Sequence, residues 1–158
     1  MNQSQTEFPI SDGLETALAG VEATYPKCVE VELAPMVLIV EDDPDIAMSL
    51  QFRLCIQGYR SCLATNALDA VTVALEHEPV CAILDINVPQ GDGFSVATEL
   101  RSRLESADLP VVFLTASMRL DIRERAESFG HSAFVSKPYN AAQLMQTVEG
   151  LIDFADDV

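Results

Sequence analysis

The sequence predicts an α/β fold, a five-stranded parallel sheet with helices on both faces, and three observations carry that reading. Short, unbroken apolar runs recur along the chain, helix-period segments separate them, and several runs end abruptly on an acid, a hydroxyl or a lysine. A fully apolar run rich in β-branched residues reads as a strand covered on both faces, as in parallel sheets. Five strands alternating with five helices then build an open, doubly wound (βα)5 sheet.

The first run, Met36 to Val40, stops at Glu41-Asp42-Asp43. Pro44 can open a helix in its first turn with Asp43 as cap. Ile46, Leu50 and Leu54, joined by Phe52 and Ile56, give that helix its apolar stripe, and Gly58 ends it. Ser61 to Ala64 is a weaker strand, followed by a helix with Leu68, Val71, Val73 and Leu75 as its apolar residues. Val80 to Asp85 is a central strand closing on a carboxylate. A loop with Pro89, Gly91 and Gly93 leads into a helix from about Phe94 to Leu104. Pro110 to Thr115 is the next buried strand and Leu120 to Phe129 the next helix. Ala133 to Ser136 is the fifth strand, Lys137-Pro138 breaks the chain, and Ala141 to about Ala155 forms the last helix.

Residues 1–35 read differently, as an N-terminal extension to a domain spanning 36–158. Leu14, Leu18 and Val21 could form one face of a short helix between Gly13 and Tyr25, and Val29, Val31 and Leu33 alternate with Glu30 and Glu32 in an edge-strand pattern.

Composition narrows the function. With 25 acids against 9 basic residues the formal net charge is −16, so phosphate backbones and anionic lipid surfaces are repelled and neither nucleic acid nor membrane is an expected partner. The longest apolar runs are five residues, too short to span a bilayer, and the opening residues lack the pattern of a signal peptide. Cys28, Cys55, Cys62 and Cys81 include no CxxC pair, which gives a zinc or iron–sulfur site little support. Cys55, Cys62 and Cys81 sit among apolar neighbours and read as free core thiols, so a reducing, cytoplasmic location is expected.

In an open parallel sheet ligands bind beyond the carboxyl ends of the strands. That rule brings Glu41, Asp42, Asp43, Asp85, Thr115 and Lys137 to one edge. Clustered carboxylates stay ionised together when a cation neutralises them, and hard oxygen ligands of this kind suit magnesium, with manganese an alternative. A carboxylate held there can attack phosphorus to form an acyl phosphate, whose oxygens need a cation, an ammonium and a hydroxyl. Each element alone has a plainer explanation: a helix start, a turn cap, a strand-favouring threonine, a turn-forming Lys-Pro. Their conjunction is more telling, because the chain has only two lysines, Lys27 and Lys137, and one falls where the chemistry needs a cation.

From Met36 onward the chain resembles the response-regulator receiver domain, a flavodoxin-like module phosphorylated by histidine kinases. The resemblance lies in VEDDPDI at 40–46, DINVPQGDG at 85–93, FLTAS at 113–117 and FVSKP at 134–138, with Asp42, Asp85, Thr115 and Lys137 successively 43, 30 and 22 residues apart. It implies that Asp85 is the phosphoacceptor, that Asp42 binds magnesium directly and Glu41 through water, and that the Asn87 carbonyl supplies a backbone ligand. It further implies that Lys137 pairs with phosphoryl oxygens ahead of a cis Pro138, and that Thr115 and Phe134 form a switch pair reshaping the face of the fourth helix, fifth strand and fifth helix. The implied partners are a histidine kinase or phosphotransfer protein and a downstream protein target, with a phosphorylation-dependent homodimer compatible.

The few acidic residues after the last helix lead the sequence reading to a stand-alone, chemotaxis-type regulator without an output domain. Gly91 stands where the family often has methionine, which suggests a looser loop, while Asn87 and Ser117 occupy positions that tune phosphoryl lifetime in the family. His131 is expected at the surface.

Two other classes compete. A phosphatase of the haloacid dehalogenase type needs a second acid two residues after the nucleophile, where Asn87 stands, so a multiple-turnover enzyme is not expected. A degenerate receiver serving only as an interaction module would not need the acid, threonine and lysine set. No GxxxxGK[ST] loop is present for nucleotide hydrolysis.

Overall fold

Residues 33–103 and 107–156 are described by the structure, a computed structural model. The expected helix between Gly13 and Tyr25 and the alternation at Val29 and Val31 lie outside them.

Among the described residues ten elements alternate: β1 (Met36–Val40), α1 (Pro44–Ile56), β2 (Arg60–Ala64), α2 (Ala67–His77), β3 (Cys81–Asp85), α3 (Gly93–Ser102), β4 (Val111–Thr115), α4 (Leu120–Glu127), β5 (Ser132–Ser136) and α5 (Ala141–Asp156). The strands pair in parallel in the order β2-β1-β3-β4-β5. β1, β3 and β4 are buried along their whole length, whereas β5 is half-buried at an edge. The unbroken apolar runs are therefore the strands that have helices on both sides.

Alternation along each strand divides the core in two. Leu38, Val40, Leu84 and Phe113 pack with α2, α3 and α4 on one face. Val37, Ile39, Ile83 and Leu114 pack with α1 and α5 on the other. In α1, Asp43 caps the first turn by accepting from the N–H groups of Asp45 and Ile46, and Ala47, Leu50 and Leu54 are its buried residues.

Two expected apolar stripes differ from those observed. Phe52 and Ile56 are exposed, because each lies two residues, roughly 200° of helix, beyond Leu50 and Leu54. In α2 the buried residues are Ala67, Ala70 and Ala74, while Leu68 and Leu75 face outward. Small side chains let α2 approach its neighbours closely, so the larger apolar residues flank the contact rather than fill it. Helix ends also move: α3 stops at Ser102 and α4 at Glu127, short of the expected Leu104 and Phe129.

Cys62 and Cys81 are buried free thiols, as expected. Cys55 is not: it is half-buried and disulfide-bonded, with its partner outside the described residues. Its apolar neighbours Leu54 and Ile56 face opposite ways, one into the core and one to solvent, so local hydrophobicity misled the sequence reading. Burial pushes the Cys81 thiol up to about 12 from 9.0. The thiolate is the reactive form, so Cys81 should resist alkylation at pH 8 in the native protein and react fully in denaturant, as thiol-trapping mass spectrometry would show. A raised folded pKa stabilises below the unfolded value and is lost above it, so this thiol's contribution should disappear between pH 9 and about 12.

Candidate functional site

β1 separates β2 on one side from β3 on the other, so the chain leaves the carboxyl ends of β1 and β3 in opposite directions and opens a crevice there. Glu41 and Asp42 follow β1, and Asp85 closes β3. One carboxylate oxygen from each of the three can be chosen so that all lie within 4.8 Å of one another. Glu41 is 2% exposed and Asp85 6%, whereas Asp42 faces solvent.

Lys137, just past β5, reaches back over this edge. Its Nζ donates at 2.8 Å to Glu41 Oε2 and at 2.8 Å to Asp85 Oδ2. Backbone N–H groups hold the other oxygens: Asp43 donates to Glu41 Oε1 at 3.1 Å and Asn87 to Asp85 Oδ1 at 2.9 Å. Burial raises the Glu41 pKa, and the hydrogen bond from Lys137 only partly opposes it. For Lys137, burial pulls the pKa down, but hydrogen bonds and attraction from Asp85 and Glu41 outweigh it and leave the pKa raised. Three carboxylates against one ammonium leave an excess of negative charge facing outward at Asp42, and oxygen donors in that arrangement fit a hard divalent cation.

Thr115 ends β4 fully buried, and its Oγ1 accepts from Ser117 N–H at 3.0 Å. Its carbonyl accepts from Lys137 N–H at 2.7 Å, which ties the β4 end to the lysine's backbone. Phe134, paired with Phe113 in the β4–β5 register, is half-buried against the α2–α3–α4 core. The Lys137-Pro138 bond is cis. His131 is exposed.

The six residues expected at one edge thus separate into roles. Glu41, Asp85 and Lys137 are in contact, Asp42 adds a solvent-facing carboxylate, and Thr115 stands at the neighbouring strand end. Asp43 is occupied as the α1 cap.

The loop after Asp85 is tighter than its glycines suggest. Gly91 has φ +145°, and a side chain there would put Cβ 2.7 Å from Ala67 Cβ, so methionine does not fit this backbone. Ala67 N–H also donates to the Pro89 carbonyl at 3.0 Å, which fastens the loop to α2. The expected looseness gives way to close packing.

Gly93 is a residue whose importance the sequence reading missed. A Cβ at this position would lie 2.6 Å from the Asp85 carbonyl oxygen and 3.0 Å from Ile86 Cα. Its only sequence signal is a glycine at a helix start, directly after Asp92, whose carboxylate and Ser95 complete a capping box. Gly93→Ala should force the Asp85 backbone to move and destabilise the fold by about 1–3 kcal/mol, measurable by urea denaturation.

A family model for the response regulator receiver domain matches residues 37–149. The chain belongs to that family. Among curated relatives, this receiver domain is 35% identical over 119 residues to transcriptional regulatory protein PrrA of Mycobacterium bovis, covering 75% of this chain and 50% of the relative. It therefore spans about half the length of that regulator. Among solved structures, the non-phosphorylated HemR receiver domain of Leptospira biflexa is 30% identical with a TM-score of 0.68, covering 75% of this chain and 94% of that one. The receiver domain of sensor histidine kinase PA1611 from Pseudomonas aeruginosa is 26% identical with a TM-score of 0.68, covering 76% of this chain and 98% of that one. It is described with magnesium coordinated in its active site cleft. The flavodoxin-like (βα)5 architecture is common to these receiver domains.

Proposed function

We propose that this receiver domain accepts a phosphoryl group on Asp85 from a histidine kinase or phosphotransfer protein and uses it to switch protein contacts. The observation that carries the reading is the Lys137 ammonium, 2.8 Å from both Asp85 and Glu41 beside the exposed Asp42 carboxylate. An Asp85 oxygen attacks phosphorus, the bond to the donor nitrogen breaks, and an aspartyl phosphate remains. Lys137 is already at the acceptor carboxylate and can follow an arriving phosphoryl oxygen without a large movement. Asn87 N–H orients the Asp85 side chain, and Thr115 offers its hydroxyl from the neighbouring strand end.

Asp42 and Asp85, with the Asn87 carbonyl and Glu41 through water, would hold magnesium or manganese. When bound, the ion supplies positive charge to the phosphoryl oxygens. Thr115 and the half-buried Phe134 are the proposed switch, which alters the surface formed by α4, β5 and α5. Hydrolysis of the acyl phosphate resets the domain. Asn87, two residues beyond Asp85, offers no carboxylic acid to protonate a leaving group, which favours a signalling cycle over multiple turnover on small phosphate esters.

The remaining proposed features are a cytoplasmic location, a downstream protein target and a homodimer formed on phosphorylation. No helix among the described residues is long and apolar enough to cross a membrane. The acidic charge of −16 opposes direct contact between the chain and nucleic acid. PrrA is a transcriptional regulator twice as long as the matched region, so the proposal concerns the receiver and not an output.

Acetyl phosphate with magnesium should add one phosphoryl group at Asp85, located by peptide mass spectrometry. Beryllofluoride should shift the amide resonances of Thr115 and Phe134. Asp42→Ala should weaken magnesium binding at least tenfold in calorimetric titration, a loss of about 1.4 kcal/mol. Unaltered magnesium affinity would contradict the proposed ligand set.

A further inference from the structure

Of the five helices α4 has the weakest hold on the core. Its eight residues fully bury only Ala126, and among the described residues its capping position, Arg119, makes no side-chain hydrogen bond to the first turn. Leu120 at its start is exposed, and Ile122 packs partly buried against the core. The neighbouring α3 is the opposite case. It buries Phe94, Val96, Ala97 and Leu100, and Gly93 at its start backs directly onto the Asp85 carbonyl. The position of α4 therefore depends on what its neighbours hold, and α3 is the firmer of the two helices.

Arg101, in the last turn of α3, makes that hold. Its Nη1 donates to the Phe129 carbonyl and its Nη2 to the Gly130 carbonyl at 2.6 Å, while its guanidinium carbon lies 4.6 Å from the centre of the Phe129 ring. Both carbonyls belong to the turn from α4 into β5, where Gly130 and His131 have φ of +65° and +33°. A planar guanidinium can bridge two carbonyls and stack on a ring at once, which a lysine ammonium cannot. The hold continues through the core. Phe129 meets Phe113 edge-on at 5.5 Å, Phe113 meets Phe94 at 4.7 Å, and Arg125 of α4 lies 4.2 Å over the Phe94 ring.

The start of α4 is tied to the phosphoryl site instead. Thr115 Oγ1 accepts from Ser117 N–H at 3.0 Å, and Ser117 Oγ accepts from Arg119 N–H at 3.4 Å, so two short links run from the end of β4 to the first turn of α4. In the proposed switch Thr115 rotates its hydroxyl toward a phosphoryl oxygen. That rotation takes the acceptor away from Ser117 N–H and pulls on the start of α4, and the Arg101 contacts at the far end resist the pull.

We infer that Arg101 is a positioning residue for this switch: its clamp on Phe129 and Gly130 holds α4 in the arrangement where Ser117 engages Thr115, and the phosphorylated arrangement forms only as the clamp loosens. The inference rests on the phosphoacceptor reading of Asp85 and adds the group that sets the balance between two seats of α4. A cap that merely satisfied the last carbonyls of α4 would stabilise both arrangements alike, and a contact equal in both shifts no equilibrium. A clamp specific to one arrangement makes the other rarer, and a ligand selecting the rarer one binds more weakly in proportion.

Beryllofluoride with magnesium serves as the probe of the phosphorylated arrangement, in calorimetric titration of the full chain and of its Arg101→Lys variant. Lysine keeps the charge but not the planar fork, so the variant should bind beryllofluoride about fivefold more tightly, at the lower end of ordinary allosteric coupling. Without beryllofluoride, the variant's α4 amide resonances should lie displaced from their wild-type positions toward those of the wild-type complex. Arg125→Met removes the second cation at an exposed residue and should tighten binding roughly twofold to fivefold. It decides the question if Arg101→Lys does not fold. Unchanged or weaker affinity in the folded variants, alongside lower stability to urea, would overturn the inference and leave Arg101 a structural cap. So would α4 resonances displaced in another direction. A wild type that binds no beryllofluoride and takes no label from acetyl phosphate would overturn the phosphoacceptor reading itself, whereas normal labelling of Asp85 in wild type and variants confines any failure to the clamp.

Discussion

Asp85→Asn should abolish phosphoryl incorporation from acetyl phosphate while leaving the fold intact. The amide keeps an oxygen to accept from Asn87 N–H, which now donates to Asp85 Oδ1 at 2.9 Å, so loop geometry should persist. Lost are the nucleophile and one of three carboxylates within 4.8 Å of one another. Removing a like charge from such a cluster relieves repulsion, while the 2.8 Å hydrogen bond from Lys137 to Asp85 Oδ2 is lost, so urea denaturation should find the variant within about 1 kcal/mol of the wild type. Intact-mass measurement after acetyl phosphate and magnesium should show no gain of a phosphoryl group. Continued stoichiometric incorporation would place the acceptor elsewhere and remove the basis of the proposed function.

How much of this was legible depended on what each residue faces. β1, β3 and β4 are enclosed on both sides and apolar throughout, so their sequence states their position. Helix faces were harder, because a stripe of alanines in α2 signals close approach and not hydrophobic bulk. The strand-end rule brought Glu41, Asp85 and Lys137 together, since topology alone sends those ends to one edge. It could not distinguish Asp43, which caps α1, from the acids beside it, because a helix-capping aspartate and a metal-binding one are the same residue in sequence. Gly93 was read only as a turn residue. Its constraint is a 2.6 Å approach to the Asp85 carbonyl oxygen, a contact between backbones that no side-chain pattern encodes. Cys55 was misread because its own neighbours in sequence are apolar.

Lys137→Met tests the electrostatics on which these readings converge. The substitution keeps much of the aliphatic stem but deletes the ammonium that donates at 2.8 Å to Glu41 and to Asp85. Both carboxylates are nearly enclosed, and breaking a fully buried pair costs about 3–5 kcal/mol. The lysine side chain is 16% exposed, so water recovers part of that, and about 2–3 kcal/mol at pH 7 is the expected loss. The sign with pH follows from Glu41, whose folded pKa is already raised by burial and rises further without the ammonium. A raised carboxyl pKa stabilises the fold below the unfolded value and ceases to do so as pH climbs through the folded one. The deficit should therefore be small near pH 4.5, the ordinary value for this group, and full by neutral pH. Magnesium, binding only the folded form, should restore more stability to the variant than to the wild type. Phosphoryl transfer should slow by about 100-fold, the usual effect of losing one preorganised donor to a developing oxyanion. Urea titrations at acid and neutral pH, with and without magnesium, read all but the rate. A deficit independent of both pH and magnesium would mean that the ammonium is not what lets these acids share one end of the sheet.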